Sequence, residues 1–165
     1  MKRMGDTQMS PYRIRPLKEQ DIESIIAIDA AVTGLGGPER AGFWRGLLSF
    51  YPVEEGEPSL PHPHLCMVAE LTAAGQERVA GFIIGDVQSW QFGLPRHGRI
   101  VTIGVHPEHR RRQVASQLVQ ALLETFRKMG LPSVQCLSRP GDPLGVFFRA
   151  AGFGGSSFEV LEKAL

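Results

Sequence analysis

The segment Ile100–Met129, IVTIGVHPEHRRRQVASQLVQALLETFRKM, restricts the fold of this chain more than any other stretch. It opens on a β-branched run, Ile100, Val101, Ile103 and Val105, stopped by Pro107, which has no amide proton to give a central strand. It continues with Val114, Ala115, Leu118, Val119, Leu122, Leu123, Phe126 and Met129 at three- and four-residue steps. That period predicts a helix with one apolar face and with Gln117, Gln120, Glu124 and Arg127 mostly on the other. Gly130 and Pro132 supply the stop. A buried strand therefore leads, through a short basic turn, into a long amphipathic helix.

The turn is His109-Arg110-Arg111-Arg112-Gln113-Val114-Ala115-Ser116. Where a strand gives way to a helix start, several backbone N–H groups are left unpaired and point one way, and the aligned peptide dipoles add partial positive charge. Three consecutive arginines add full charges beside it. An arginine triplet taken alone is most often a solvated loop. Between a strand and a helix start, the same residues make a site for phosphate or pyrophosphate.

At these residues the chain resembles the GNAT superfamily of acyl-CoA-dependent N-acyltransferases. The family pattern, V-x-P-x-x-[RQ]-x-x-G-x-[GA] followed by an apolar helix, lies over Val105 to Ala115. The resemblance implies that the turn amides, from Arg110, Arg111, Arg112, Gln113, Val114 and Ala115 on to Ser116, hold the pyrophosphate of coenzyme A. It also implies that Ile103 and Val105 line the pantetheine arm, and that the Val105 backbone N–H stabilises the developing oxyanion. One residue departs from the pattern: Gln113 stands where the family has a glycine, which admits phosphate without a Cβ in the way.

The rest of the chain fits the same frame. Tyr12–Pro16 alternates apolar and basic residues and reads as a strand, and Asp21 begins a helix with Ile22, Ile25, Ile26 and Ile28 on its apolar face. The run Arg15-Pro16-Leu17-Lys18-Glu19-Gln20-Asp21-Ile22 also looks like the GNAT opening strand and helix. A second helix is expected from Glu39 to Tyr51, where GNAT proteins form the acceptor pocket. A surface loop follows to Pro63, and its His62 and His64 lack ligand-spaced partners, so no metal is expected there. Leu65–Leu71 and Val79–Val87 read as strands joined by a hairpin turn at residues 72–76. After the central helix come a strand at Ser133–Ser138, a short helix at Asp142–Ala151 and a last strand at Phe158–Lys163. The fold class is α/β (α+β), a mixed, largely antiparallel sheet flanked by helices. Residues 1–11 are expected to be a flexible N-terminus and 12–165 a single domain.

A second family segment ends at Gly152-Phe153. Here Asp142 stands where asparagine is common, and Phe148 where a tyrosine often protonates the departing coenzyme A thiolate. Phenylalanine has no proton to give, and its ring reads as core. The implied mechanism is direct attack in a ternary complex. Nothing in the sequence forces a nucleophilic cysteine, since Cys136 lies inside an apolar run with no histidine nearby. Asp86, at the end of its strand, is the candidate base. His97 and His106 titrate near neutrality but read as surface loop residues, and a water chain would serve as well.

Composition bounds the partners. A net charge of +1 gives no polyanion-binding signature, so no nucleic acid is expected. No apolar run approaches the roughly 18 residues of a membrane span, and the N-terminus lacks an apolar signal core, so the expected setting is cytoplasmic. Cys66 and Cys136 read as buried thiols rather than a disulfide. The expected partners are acetyl-CoA as co-substrate and an amine acceptor, with a homodimer through a sheet edge or the tail left open. Two other readings stay open: a GNAT-fold binding or regulatory protein without turnover, to which Gln113 and Phe148 point, and a binder of another pyrophosphate ligand.

Overall fold

The protein is described from a computed structural model covering residues 10–49, 65–73, 76–89, 93, 95–156 and 159–164. Its elements are β1 (Tyr12–Pro16), α1 (Ile22–Thr33), α2 (Pro38–Ser49), β2 (Cys66–Ala73), β3 (Gln76–Gln88), β4 (His97–Val105), α3 (Val114–Lys128), β5 (Val134–Cys136) and α4 (Pro143–Ala150). Short 3-10 turns at Glu19–Asp21 and Pro107–His109 precede α1 and follow β4. The strands lie in chain order, β1-β2-β3-β4-β5, antiparallel up to β4. The last pair, β4 with β5, is parallel. A parallel pair needs a crossover, and α3 supplies it.

Strand alternation divides the core between the two faces of this sheet. Neighbours Ile83 and Ile84 on β3 part company: Ile83 joins Val114, Leu118, Val119, Leu122 and Phe126 of α3, whereas Ile84 joins Ile25 and Ile28 of α1 and Trp44 of α2. The apolar stripe expected for α3 is therefore the stripe it buries. Helix and sheet meet closely, because a Cβ on Gly98 would lie 2.8 Å from the Phe126 ring and one on Gly85 2.9 Å from Leu122. Only glycine allows that approach.

Polar side chains tie the first segments down. Arg15 on β1 donates to Asp21 at 2.7 and 3.0 Å and to Glu70 of β2 at 2.8 Å, which gives the Arg15…Asp21 spacing a physical reason. Asp29 of α1 accepts from Arg40 at 2.5 and 2.9 Å and from the Trp44 indole at 2.7 Å, clamping α2 onto α1.

Three expectations need correction. Residues 159–163, expected to be most of a final strand, carry no strand, and Val160 and Leu161 are exposed; the alternating pattern is there, but no strand among the described residues pairs with it. The strand expected over 133–138 is ladder-paired only at Val134–Cys136. His97 is not a loop residue but the first residue of β4, 2 % exposed, because the β3–β4 ladder runs on to a Gln88↔His97 pair. Residues 1–9, His62 and His64 lie outside the described residues. Both cysteines are free thiols; burial pushes the Cys66 thiol up to about 12 and Cys136 up as well, so neither is an activated nucleophile. No helix among the described residues is long and apolar enough to cross a membrane.

Candidate functional site

The site begins where the sheet is left unfinished. The β4–β5 ladder holds three pairs, Gly98↔Val134, Arg99↔Gln135 and Ile100↔Cys136, yet β4 continues to Val105. From Val101 onward that edge of β4 has no strand beside it among the described residues. Which groups it offers follows from parity, since successive residues of a strand direct their N–H and C=O to opposite sides. The His106 N–H donates to the Ala80 carbonyl of β3 at 2.9 Å. The amides of Val105 and Ile103 therefore face away from β3, towards the open side. Their side chains pack, partly buried, against the α3 core.

Beyond β4 the chain makes the Pro107–His109 turn, runs through the exposed Arg110, Arg111, Arg112 and Gln113, and enters α3. The first helical bond is Gln117 N–H to Gln113 O, 3.0 Å. The amides of Val114, Ala115 and Ser116 therefore have no intrahelical acceptor, and the Gln113 side chain does not cap them. Gln113 has φ +63° and Arg111 φ +60°, both in the left-handed region. That backbone costs a residue with a Cβ about 1–2 kcal/mol, so a glycine at position 113 would suit the turn twice, by conformation as well as by size. Held strain of this kind gathers at binding sites.

The turn is anchored from β1. His109, 9 % exposed, places its Nδ1 3.1 Å from the Tyr12 hydroxyl, with the rings edge to face. Burial lowers the His109 pKa, and the neighbouring His106 and Arg112 lower it further, so the ring is held neutral. Ser10 adds a hydrogen bond to Gln117 at 2.9 Å.

The remaining candidate residues have partners of their own, and Phe148 shares the α3 core with Ile103 and Val105. Asp86 pairs with Arg99 across the β3–β4 ladder, its two oxygens accepting at 3.0 and 2.5 Å, and each oxygen keeps a second lone pair. Asp142 caps α4, accepting from the Leu144 N–H at 2.8 Å. Phe148 is 3 % exposed and packs against Phe147 and Phe153. The structure thus brings Ile103, Val105 and the residues from Arg110 to Ser116 together along one continuous stretch, places Phe148 in the core that Ile103 and Val105 pack against, and gives Asp86 and Asp142 hydrogen-bond partners of their own. Sequence reading missed the Arg99 and Tyr12 partners, since each pairing depends on strand register or on residues 97 apart in the chain.

A helix start with unpaired amides beside three arginines suits a phosphate group, and the unpaired edge of β4 next to it offers further backbone donors. Residues 39–153 match the sequence model of the acetyltransferase (GNAT) family, and the chain belongs to that family. No curated protein matches it in sequence. Among solved structures, a transcriptional regulator from Bacillus halodurans C-125 superposes with a TM-score of 0.69 at 17 % identity, over 93 % of this chain and 99 % of that one. Ard1 from Thermoplasma volcanium gives 0.66 at 24 %, over 89 % and 85 %. The aminoglycoside 6'-N-acetyltransferase AAC(6')-IG from Acinetobacter haemolyticus gives 0.64 at 14 %, over 93 % and 98 %. At these identities the likeness is one of fold.

Proposed function

We propose that the chain is an N-acetyltransferase that moves an acetyl group from acetyl-CoA to a primary amine by direct attack in a ternary complex. The observation that carries this reading is the open edge of β4 ending at a helix start with free amides and three arginines. Bound acetyl-CoA would supply the activated acyl group as a thioester. On this reading the amides of Arg110 to Ser116 and the arginine side chains hold the pyrophosphate. Ile103 and Val105 lay their outward amides along the pantetheine arm, and the Val105 N–H is the donor for the carbonyl oxygen as charge builds there. For the proton leaving the amine we assign Asp86, through a carboxylate lone pair that Arg99 does not occupy; a water chain to solvent is the other outcome of an Asp86→Asn variant.

Phe148 supplies no proton, and of the two tyrosines Tyr12 is engaged with His109 while Tyr51 lies outside the described residues. A thiol with a reference pKa of about 8.5 leaves as thiolate without much help near neutrality. Absence of an acid should therefore slow transfer by about a hundredfold rather than stop it. The buried Phe148 and the left-handed Gln113 are also what favour the second reading, a GNAT-fold protein that binds without turnover.

Calorimetric titration with acetyl-CoA, desulfo-coenzyme A and ADP tests the site, and thiol release with a panel of amines tests turnover. We expect micromolar binding of both coenzymes, weaker binding of ADP, and thiol release with at least one amine. Binding without release in every case leaves the binding-protein reading. Silence at millimolar coenzyme removes the enzyme reading and leaves the fold put to another use, and equal affinity for ADP makes the turn a general pyrophosphate site.

A further inference from the structure

Outside the open edge of β4, the densest group of metal-ligating side chains among the described residues is on the 3-10 turn that follows the strand. His106, Glu108 and His109 each place one ligand atom there, all within 4.8 Å of one another. The sequence His106-Pro107-Glu108-His109 explains the grouping. Pro107 at the first position of a 3-10 turn brings residues three apart onto one side, and the His106 and His109 rings lie 6.0 Å apart between centroids. The His106 Nδ1 is 3.8 Å from Glu108 Oε2, and the backbone N–H of Glu108 gives that nitrogen only a long 3.3 Å hydrogen bond.

We propose that His106, Glu108 and His109 form a binding site for one zinc-class divalent ion on the turn between β4 and α3. Tetrahedral zinc with bonds of about 2.0–2.1 Å keeps its donors about 3.4 Å apart. Closing from up to 4.8 Å to that spacing calls for rotamer changes of Glu108, which is exposed, and His106, which is half-buried. His109 has the features of a ligand histidine. Its Nδ1 lies 3.1 Å from the Tyr12 hydroxyl, and in the tautomer whose Nδ1–H donates to that oxygen the Nε2 lone pair is free to coordinate, the outer hydrogen bond then acting as it does in histidine–metal sites. Two imidazoles and one carboxylate suit Zn2+, or Ni2+ and Cu2+ in its place, rather than Mg2+ or Ca2+. The three protein donors leave a fourth position for water. The site is independent of the acyl-transfer reading, since it uses none of the amides assigned to coenzyme A.

The experiment is equilibrium dialysis of the purified, EDTA-stripped full chain against ZnCl2, with MgCl2 in parallel and circular dichroism to check each variant. We expect one zinc per chain, no magnesium, and an affinity lowered at least about tenfold in both His106→Ala and Glu108→Ala. Both side chains lie outside the two cores, so these variants are expected to fold. The double variant His62→Ala/His64→Ala should bind as the parent does. Zinc binding that survives His106→Ala unchanged, that disappears only with His62 and His64, or that is undetectable at about 100 µM metal overturns the proposal.

Discussion

Replacing Gln113 with glycine is the sharpest test of the turn at the head of α3. Gln113 holds φ +63°, and relieving a left-handed residue of its Cβ returns about 1–2 kcal/mol. Against this, a glycine gives the unfolded chain more freedom, worth about 0.4–1 kcal/mol. The side chain is exposed and makes no capping hydrogen bond, so its removal costs little else. The net expectation is a gain of about 0.5–1 kcal/mol, which for a domain of this size raises the Tm by about 1–4 °C. Gln113→Val should move the other way by about 1 kcal/mol or more, since a β-branched residue tolerates positive φ worst. Urea midpoints and thermal scans of both variants, at unchanged m-value, read the effect. A glycine variant that is no more stable than the parent, or a valine variant that matches it, would refute the strain argument. Acetyl-CoA titration of the same glycine variant then asks a separate question, with a severalfold gain in affinity expected if the Cβ also crowds the phosphate.

Other outcomes follow from single side chains. Asp142→Ala should leave the Leu144 N–H at the start of α4 without its acceptor, lowering stability by about 1 kcal/mol in urea unfolding. Asp29 is buried, and its pKa is lowered first by the Arg40 hydrogen bonds and then by Trp44, so its contribution is present above the unfolded carboxylate range and is lost as pH falls through the folded value. Urea midpoints against pH should show this acid loss in the parent and a flatter profile in Asp29→Asn. His109 has the same sign: its depressed pKa means that the unfolded chain takes up a proton first, so stability declines as pH drops below about 6.5, and His109→Asn should remove that component. Phe148→Tyr places a hydroxyl in a packed cluster with Phe147 and Phe153, and should destabilise by about 1–3 kcal/mol. Any rise in thiol release from that variant would place the position within reach of the coenzyme sulfur.

How much of this was legible in the sequence depends on whether the information is local. The α3 stripe was, since Val114, Leu118, Val119, Leu122 and Phe126 repeat within one helix and bury as the period demands. The family turn was as well, because its residues are contiguous. The tail was not: Phe158-Glu159-Val160-Leu161-Glu162-Lys163 alternates as a strand should, but alternation states only which faces differ and never whether a neighbour exists to pair. His97 failed for the related reason that strand length is decided jointly by β3 and β4. Asp86, the candidate base from its place at the end of its strand, pairs with Arg99, a pairing fixed by register and invisible in either strand alone. The left-handed φ of Gln113 was half legible, through the glycine it replaces; that of Arg111 had no signal at all.

The least legible feature is also the one that decides what the site offers. Ile100 and Ile103 are three apart and in a regular strand would face opposite ways, yet both pack in the α3 core. The ladder shows why: Ile84 pairs with Thr102 and Gly85 with Ile100, so Val101 is an extra residue without a partner in that ladder, and it is exposed. The Gly98 N–H points to β5, donating to the Ser133 carbonyl at 2.9 Å, and so by parity does the N–H of Ile100. In an unbulged strand Thr102 and Gly104 would present the next outward amides, and Ile103 and Val105 would be tied to β3. The bulge at Val101 exchanges the two sets. It turns the amides of Ile103 and Val105 to the open edge where β5 has ended, while keeping the side chains of Ile100, Ile103 and Val105 on the helix they stabilise.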